Sequence, residues 1–251
     1  MTPPLVTLHG FTGSPANWDN VTGSLAAPVI QLTPLGHAPE AAPAEAAVRT
    51  WNDELARLAA LLPPEPVHLA GYSLGARLAL GLALTFPARI TRLTLVSGHT
   101  GLPAEADRAE RRASDARWCA LLETQGIEAF VNAWEAQPLF ATQAALPEVA
   151  RGEHRARRLA HAPGGLARSL RVTGLAEMPD YAPRLASLGV PVTLLAGELD
   201  AKFLELGRAA SARLPNGRFV LAPSAGHDLL LERADLVALV LRESIAAKTR
   251  T

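Results

Sequence analysis

The sequence has little of several things. Its 251 residues contain a single cysteine, Cys119, which excludes an intramolecular disulfide and any thiolate metal site built from several cysteines. Only Lys202 and Lys248 are lysines, so arginine supplies almost all of the basic charge, and aromatic residues make up 5%. No apolar run approaches the ~18 residues of a membrane span, and the opening "MTPPLVTLHGF" lacks the charged and apolar regions of a secretion signal. There is also no excess of charge of either sign, because 24 basic residues meet 24 acidic ones. A nucleic-acid or anionic-membrane partner would demand a basic surplus, so the expected partner is a small molecule and the expected location cytoplasmic. The sequence leaves the oligomeric state unknown, and a monomer is plausible.

What is present is an alternation. Short apolar runs bounded by Gly and Pro, at residues 4–10, 66–71, 90–98, 190–197 and 217–224, read as buried parallel strands. Helical patterns lie between or after them at 47–62, 74–86, 202–214 and 234–248. Strand and helix in turn predict an α/β fold with a mostly parallel, doubly wound sheet. From residue 100 to about 183 the alternation stops, and the segments "ADRAERRASDARWCALLETQ", "IEAFVNAWEAQ", "ALPEVARGEHRARRLAHA" and "GGLARSLRVTGL" read as helices. The expected division is a core formed by 1–99 and 184–251, with 100–183 inserted as a helical cap. The Pro/Ala stretch 38–46 reads as a surface loop, and Cys119, inside "DARWCALL", as a buried structural thiol.

The chemistry concentrates in "HLAGYSLGARLAL". Gly71-Tyr72-Ser73-Leu74-Gly75 falls where a strand should turn into a helix, the setting in which small neighbours let a strained serine project its hydroxyl. A serine needs a histidine to take its proton, and the histidine needs a carboxylate to orient it. In this architecture the order is serine, acid, histidine. Asp200, preferred over Glu198 in "AGELDAKF", and His227 in "SAGHD" meet it. The backbone amides of Phe11 and Leu74 are placed to form an oxyanion hole. Asp228 reads as a solvated loop or helix-capping residue, His9 as shaping the loop after the first strand, His99 as packing a loop, and His37, His68, His154 and His161 as surface or strand histidines. No His/Asp/Glu cluster has metal-ligand spacing, and neither a metal nor a cofactor is expected.

Arg77 is unusual. It lies one turn beyond Ser73, where the positive end of the helix dipole disfavours a cation by ~0.3–1 kcal/mol. It therefore needs an anion, either an internal carboxylate or a bound ligand. Arg108, Arg111, Arg112 and Arg117 fall together on a cap helix, alongside Glu105, Asp107, Glu110 and Asp115, which could satisfy several of them.

The stretches "LHGFTGSPANW", "GYSLGAR", "SGHTGLPAEADRAERRASDARWCALL", "AFVNAWEAQPLFA", "AGELDAKF" and "SAGHD" together resemble the MenH family of α/β-hydrolase-fold lyases, the 2-succinyl-6-hydroxy-2,4-cyclohexadiene-1-carboxylate synthases of menaquinone biosynthesis. The resemblance spans most of the chain. It implies an α/β-hydrolase fold and elimination of pyruvate from 2-succinyl-5-enolpyruvyl-6-hydroxy-3-cyclohexene-1-carboxylate, a small anionic substrate with three carboxylates. Ser73 with His227 and Asp200 would then act as base. Arg77, Arg111 and Arg158 would bind carboxylates, and Tyr72, Trp134 and Phe140 would line the pocket. Arg155 and Arg157 compete with Arg158 for the third position. Two departures stand out: the loop usually written Asp-Leu-Pro-Gly-His is Thr33-Pro34-Leu35-Gly36-His37 here, and the family's second glycine after the serine is Ala76. The competing activity is hydrolysis of a carboxylic ester, and a non-catalytic binding protein is the third class.

Overall fold

The computed structural model describes residues 3–38 and 43–247. Six strands form one sheet: β1 (Leu5–Leu8), β2 (Val29–Leu32), β3 (Val67–Tyr72), β4 (Ile90–Val96), β5 (Val192–Gly197) and β6 (Gly217–Ala222). Their order is β2-β1-β3-β4-β5-β6 and every neighbouring pair is parallel. The apolar runs predict five of the six to within a few residues. β2 has no such run, because it is only four residues long and one of them is Gln31. An edge strand half open to solvent has no need of a continuous apolar sequence.

The helices are α1 (Asp19–Thr22), α2 (Trp51–Leu61), α3 (Leu74–Thr85), α4 (Glu105–Glu135), α5 (Glu148–Leu159), α6 (Pro163–Thr173), α7 (Ala201–Ser211), α8 (Leu229–Glu232) and α9 (Ala234–Ala246). α2 starts four residues later than the expected 47, because Thr50 and Asp53 form a capping box at its entrance. The expected end of α9 at 248 and part of the loop 38–46 lie outside the described residues. Within that loop Glu45 is buried, so it does not lie wholly on the surface.

Both faces of the sheet are covered. On one, Val6, Leu8 and Leu69 pack with Leu55 and Leu58 of α2, Leu78 and Leu82 of α3, and Ala210 of α7. On the other, Leu5, Ala70 and Val96 pack with Trp18, Val21 of α1, Leu229 and Leu230 of α8, and Val237 and Leu241 of α9. Alternate residues of β1 enter opposite clusters, as the period of two in a strand requires.

Helices α4 to α6 leave the sheet between β4 and β5 and form their own cluster from Cys119, Leu122, Phe130, Val131, Leu166, Ala167 and Leu170. The Cys119 thiol donates to Ala167 O at 3.4 Å. Gly126, at φ 79°, divides α4 where the sequence pattern separates two helices.

The sheet reverses its winding beside β1, with β2 on one side and β3 on the other. The ends of β1 and β3 at that point are where a ligand crevice forms in an open parallel sheet. The turn from β3 into α3 holds Ser73 at φ 51°, ψ −108°, a conformation a non-glycine residue adopts only under compulsion. The compulsion comes from close backbone approach: a Cβ on Gly71 would stand 2.2 Å from Gly75 O, and one on Gly75 would stand 2.1 Å from Leu8 O. Gly75→Ala should accordingly force α3 away from β1. The expected cost is about 3 kcal/mol or more, on the scale of overpacked cores, or roughly 10 °C in Tm. A melt matching that of the unaltered protein would contradict this account of the turn.

Candidate active site

Three loops at the carboxyl ends of the strands meet around Ser73. His227, in the loop after β6, places Nε2 3.1 Å from Ser73 Oγ and Nδ1 2.7 Å from Asp200 Oδ2. Asp200 follows β5 and caps α7 by accepting from Phe203 N. His227 is itself held from behind, since Ser97 Oγ after β4 donates to His227 O at 2.8 Å. The geometry can pass a proton from the serine to the imidazole and hold the resulting charge against the carboxylate.

Neither the Phe11 nor the Leu74 amide donates to a protein acceptor among the described residues. Both border the serine, one from the loop after β1 and one from the first turn of α3. Two free donors beside the nucleophile can hold an oxygen that gains negative charge.

Two cavities share Ser73, His227, Phe11, Trp134 and Leu139. The larger, about 220 Å³, is bordered by Arg77, Arg111, Lys202 and His99. The smaller, about 50 Å³, holds Tyr72, Phe140, Arg158, His154 and Asp228. Ser73, His227, Phe11, Leu74, Tyr72, Arg77, Arg111, Trp134, Phe140 and Arg158 thus line one or both, and Asp200 reaches the site through His227, whereas Arg108, Arg112 and Arg117 line neither. Of the three competing arginines, Arg158 reaches the cavity of Ser73, whereas Arg155 turns away to Glu135 and Asn132.

The cations are not equivalently satisfied. Arg77 Nη1 donates to Thr173 O at 3.0 Å and has no carboxylate within ion-pair distance among the described residues. Removal from solvent, reinforced by nearby Arg111 and only partly offset by Asp115, lowers its pKa to about 9. Arg111 pairs with buried Asp115 at 2.9 Å. Burial raises the Asp115 carboxyl pKa, and Arg111 and Arg77 counter that. Arg111 thus has this carboxylate to itself at ion-pair distance, while Arg77 feels it only from further away. Arg158, 3% exposed, donates to Glu135 at 2.8 Å and lies 5.0 Å over the Phe140 ring. The Trp134 indole N–H, also buried, has no acceptor among the described residues.

Several expectations need correction. Asp228 does cap a helix, accepting from Leu231 N, but it is 1% exposed rather than solvated. Burial raises its carboxyl pKa to about 6 against the pull of Arg158 and His227. His37, His154 and His161 are buried, not surface residues, and His68 is a buried strand residue that meets Thr94 Oγ1 at 2.9 Å. Their partners, Thr12, Asp228 and Asn17 among them, are distant in sequence, so local pattern could not reveal the burial. Lys202 also borders the larger cavity, and a lysine two residues after Asp200, in a chain almost without lysine, is a readable signal for it. Among the described residues no cluster of three or more His, Cys, Asp or Glu is arranged to hold a metal, and no helix is long and apolar enough to cross a membrane.

Residues 3–234 match the family model described as the alpha/beta hydrolase fold. The 2-succinyl-6-hydroxy-2,4-cyclohexadiene-1-carboxylate synthase of Enterobacter sp. (strain 638) is 33% identical over 99% of this chain and 93% of its own. The MenH structure from S. aureus superposes with a TM-score of 0.91 at 31% identity, covering 96% of this chain and 92% of that one. The chain belongs to the MenH family of α/β-hydrolase-fold enzymes. A thermophilic esterase from Thermogutta terrifontis is also similar, with a TM-score of 0.80 and 25% identity over 97% of this chain and 89% of that one. The MenH structure and the esterase share one fold with this chain, so the arginines must separate the two activities.

The buried imidazoles give the fold an acid limit. Burial is the first cause of the lowered pKa of His9 (about 4), His68 (about 3), His99 (about 4) and His154 (about 3), and it also lowers those of His37 and His161. A histidine depressed in the folded state contributes stability that is whole above its unfolded pKa of about 6.5 and is lost as pH falls toward the folded value. By pH 5 each of His9, His68, His99 and His154 costs on the order of 2 kcal/mol. The raised carboxyls of Glu54, Asp115 and Asp228 act in the opposite sense but are fewer. Tm should fall by about 10 °C or more between pH 7 and pH 5. A flat profile over that range would rule out neutral burial of the histidines.

Proposed function

We propose that this chain is a 2-succinyl-6-hydroxy-2,4-cyclohexadiene-1-carboxylate synthase, a carbon–oxygen lyase that releases pyruvate in menaquinone biosynthesis. It would act in the cytoplasm on a small anionic substrate. The observation that carries the reading is Arg77, a guanidinium in the serine's own cavity with a carbonyl as its partner and no carboxylate. A site for neutral esters gains nothing from such a group. A site for a substrate with several carboxylates needs it, and the remaining cations border the same two cavities.

In this mechanism His227, steadied by Asp200, takes the Ser73 proton. Ser73 Oγ then removes the ring proton next to the succinyl ketone. The electron pair moves toward the ketone oxygen, and the enolate so formed is held by the Phe11 and Leu74 amides. As the enolate collapses, the ring double bond shifts by one position and the C–O bond to the enolpyruvyl group breaks. Enolpyruvate leaves, gains a proton at carbon and becomes pyruvate. Ser73 is never acylated. Arg77 and Arg111 in the larger cavity and Arg158 in the smaller one would take substrate carboxylates. Tyr72, Trp134 and Phe140 would wall the ring between them.

The experiment is pyruvate release from the enolpyruvyl substrate, followed through a lactate dehydrogenase couple. Ser73→Ala should lower kcat by ~10⁴-fold while substrate binding persists. Near-normal release by that variant would dismiss Ser73 as the base. Arg77→Ala should lose roughly 10- to 150-fold in kcat/KM, the scale of one hydrogen bond to a charged group. Its Tm should stay the same or rise, because the lost cation opposes a helix dipole and has no ion pair. An equal loss on a neutral nitrophenyl ester would count against anion recognition and favour the esterase alternative.

A further inference from the structure

The loop after β1 presents the Phe11 amide, and three consecutive peptide planes of that loop are each held by a different imidazole. In the Gly10–Phe11 plane, Gly10 O accepts from His9 Nδ1 at 2.9 Å and from Gly13 N at 3.0 Å. A trans peptide directs its N–H opposite to its C=O, so fixing Gly10 O inward aims the Phe11 N–H away from these partners. In the next plane, Thr12 N donates to His37 Nε2 at 3.1 Å. His37 must then carry its proton on Nδ1, which donates to Leu35 O at 2.9 Å. In the third, Thr12 O accepts from His161 Nε2 at 3.2 Å.

The rings also touch one another. His9 and His37 meet edge to face at 5.2 Å between centroids, and His37 and His161 do so at 5.4 Å. Burial disfavours the charged form of all three, which keeps His37 Nε2 available as an acceptor. The loop needs this support, because Thr12 sits at φ 63° and a non-glycine residue does not hold that conformation unaided.

The three imidazoles have different origins. His9 directly follows β1 and His37 follows β2, both within the sheet domain, but His161 lies in the turn between α5 and α6, in the helical excursion. The same turn begins at Arg158, whose carbonyl accepts from His161 N at 3.4 Å and whose guanidinium enters the smaller cavity. We propose that His161 is a positioning residue: it couples the seating of the helical segment to the aim of the Phe11 N–H at the oxyanion. A carboxylate drawn to Arg158 then settles the turn that carries His161, and substrate binding sets the donor that the reaction needs. This inference rests on the reading of Phe11 as an oxyanion donor, which is common to the lyase and the esterase.

The test compares His161→Phe, which keeps an aromatic edge and loses the donor, with His161→Gln, whose amide N–H can stand near the position of Nε2. His161→Asn, too short to reach Thr12 O, serves as a second donor-deficient variant if the Phe protein does not fold. Two readouts are taken. The first is kcat and KM for pyruvate release. The second is the affinity of phenylboronic acid, whose boron takes the Ser73 oxygen while the serine proton passes to His227, leaving an anionic boron-bound hydroxyl for the oxyanion hole. Loss of one oxyanion donor reduces kcat by ~10²–10³, and a misaimed donor should cost part of this, about 10- to 100-fold. The expected result is that His161→Phe and His161→Asn lower kcat and weaken the boronate by similar factors, with KM within about twofold. His161→Gln should recover most of both. A rise in KM at unchanged kcat, or His161→Gln falling as far as His161→Phe, would overturn the proposal. If the unaltered protein releases no pyruvate the lyase reading fails, and the boronate comparison still decides the role of His161.

Discussion

The turn between β3 and α3 leaves Ser73 no conformational choice, and the other parts of the site are placed relative to it. Gly75 lies against the carbonyls of Leu8 and His9, so the same contact that strains Ser73 also fixes the distance between the first turn of α3 and the loop after β1. One close backbone approach therefore sets the nucleophile and both amides that face it. His227 and Asp200 arrive independently, from the loops after β6 and β5, but meet Ser73 because those strands run parallel to β3 in the same sheet. Helix α3 then extends from Ser73 with Arg77 one turn along, which binds the position of the cation to that of the nucleophile.

Charge divides the site from its surroundings. The chain as a whole is neutral, yet the cavities around Ser73 gather Arg77, Arg111, Arg158 and Lys202 against few carboxylates. Asp115 pairs with Arg111, Glu135 is shared between Arg155 and Arg158, and Arg77 is held by a carbonyl alone. These few carboxylates hold Arg111 and Arg158 in place without cancelling the charge of the site. Full pairing would leave nothing for a ligand to satisfy, and no pairing would leave several cations enclosed together at prohibitive repulsion.

Much of this is legible in the residues themselves. The five inner or long strands announce themselves as apolar runs, and Ser73, Asp200 and His227 by type, order and position after a strand. β2 does not, because at four residues, one of them Gln31, it is too short to stand out from a loop. Nor does the burial of Asp228, His37, His154 or His161, since each is enclosed by segments remote in sequence. The choice among Arg155, Arg157 and Arg158 is a matter of depth: Arg155 and Arg158, one turn apart on the same face of α5, both reach Glu135, but only Arg158 lines the smaller cavity. Pattern locates the helix, but only packing against α4 and the loop after β1 sets its rotation.

The helical excursion departs beyond Thr100 and comes back at Tyr181, whose N–H donates to Thr100 O at 2.7 Å. Its two ends are thus anchored side by side. Closing a longer chain between fixed ends costs only ~0.6 kcal/mol for each doubling of length. The sheet and its Ser-His-Asp arrangement are consequently almost indifferent to how much polypeptide is spliced in at this point. Such a junction lets one hydrolytic scaffold exchange the lid above its nucleophile and, with it, the molecule it accepts, at little expense to the folding of the rest.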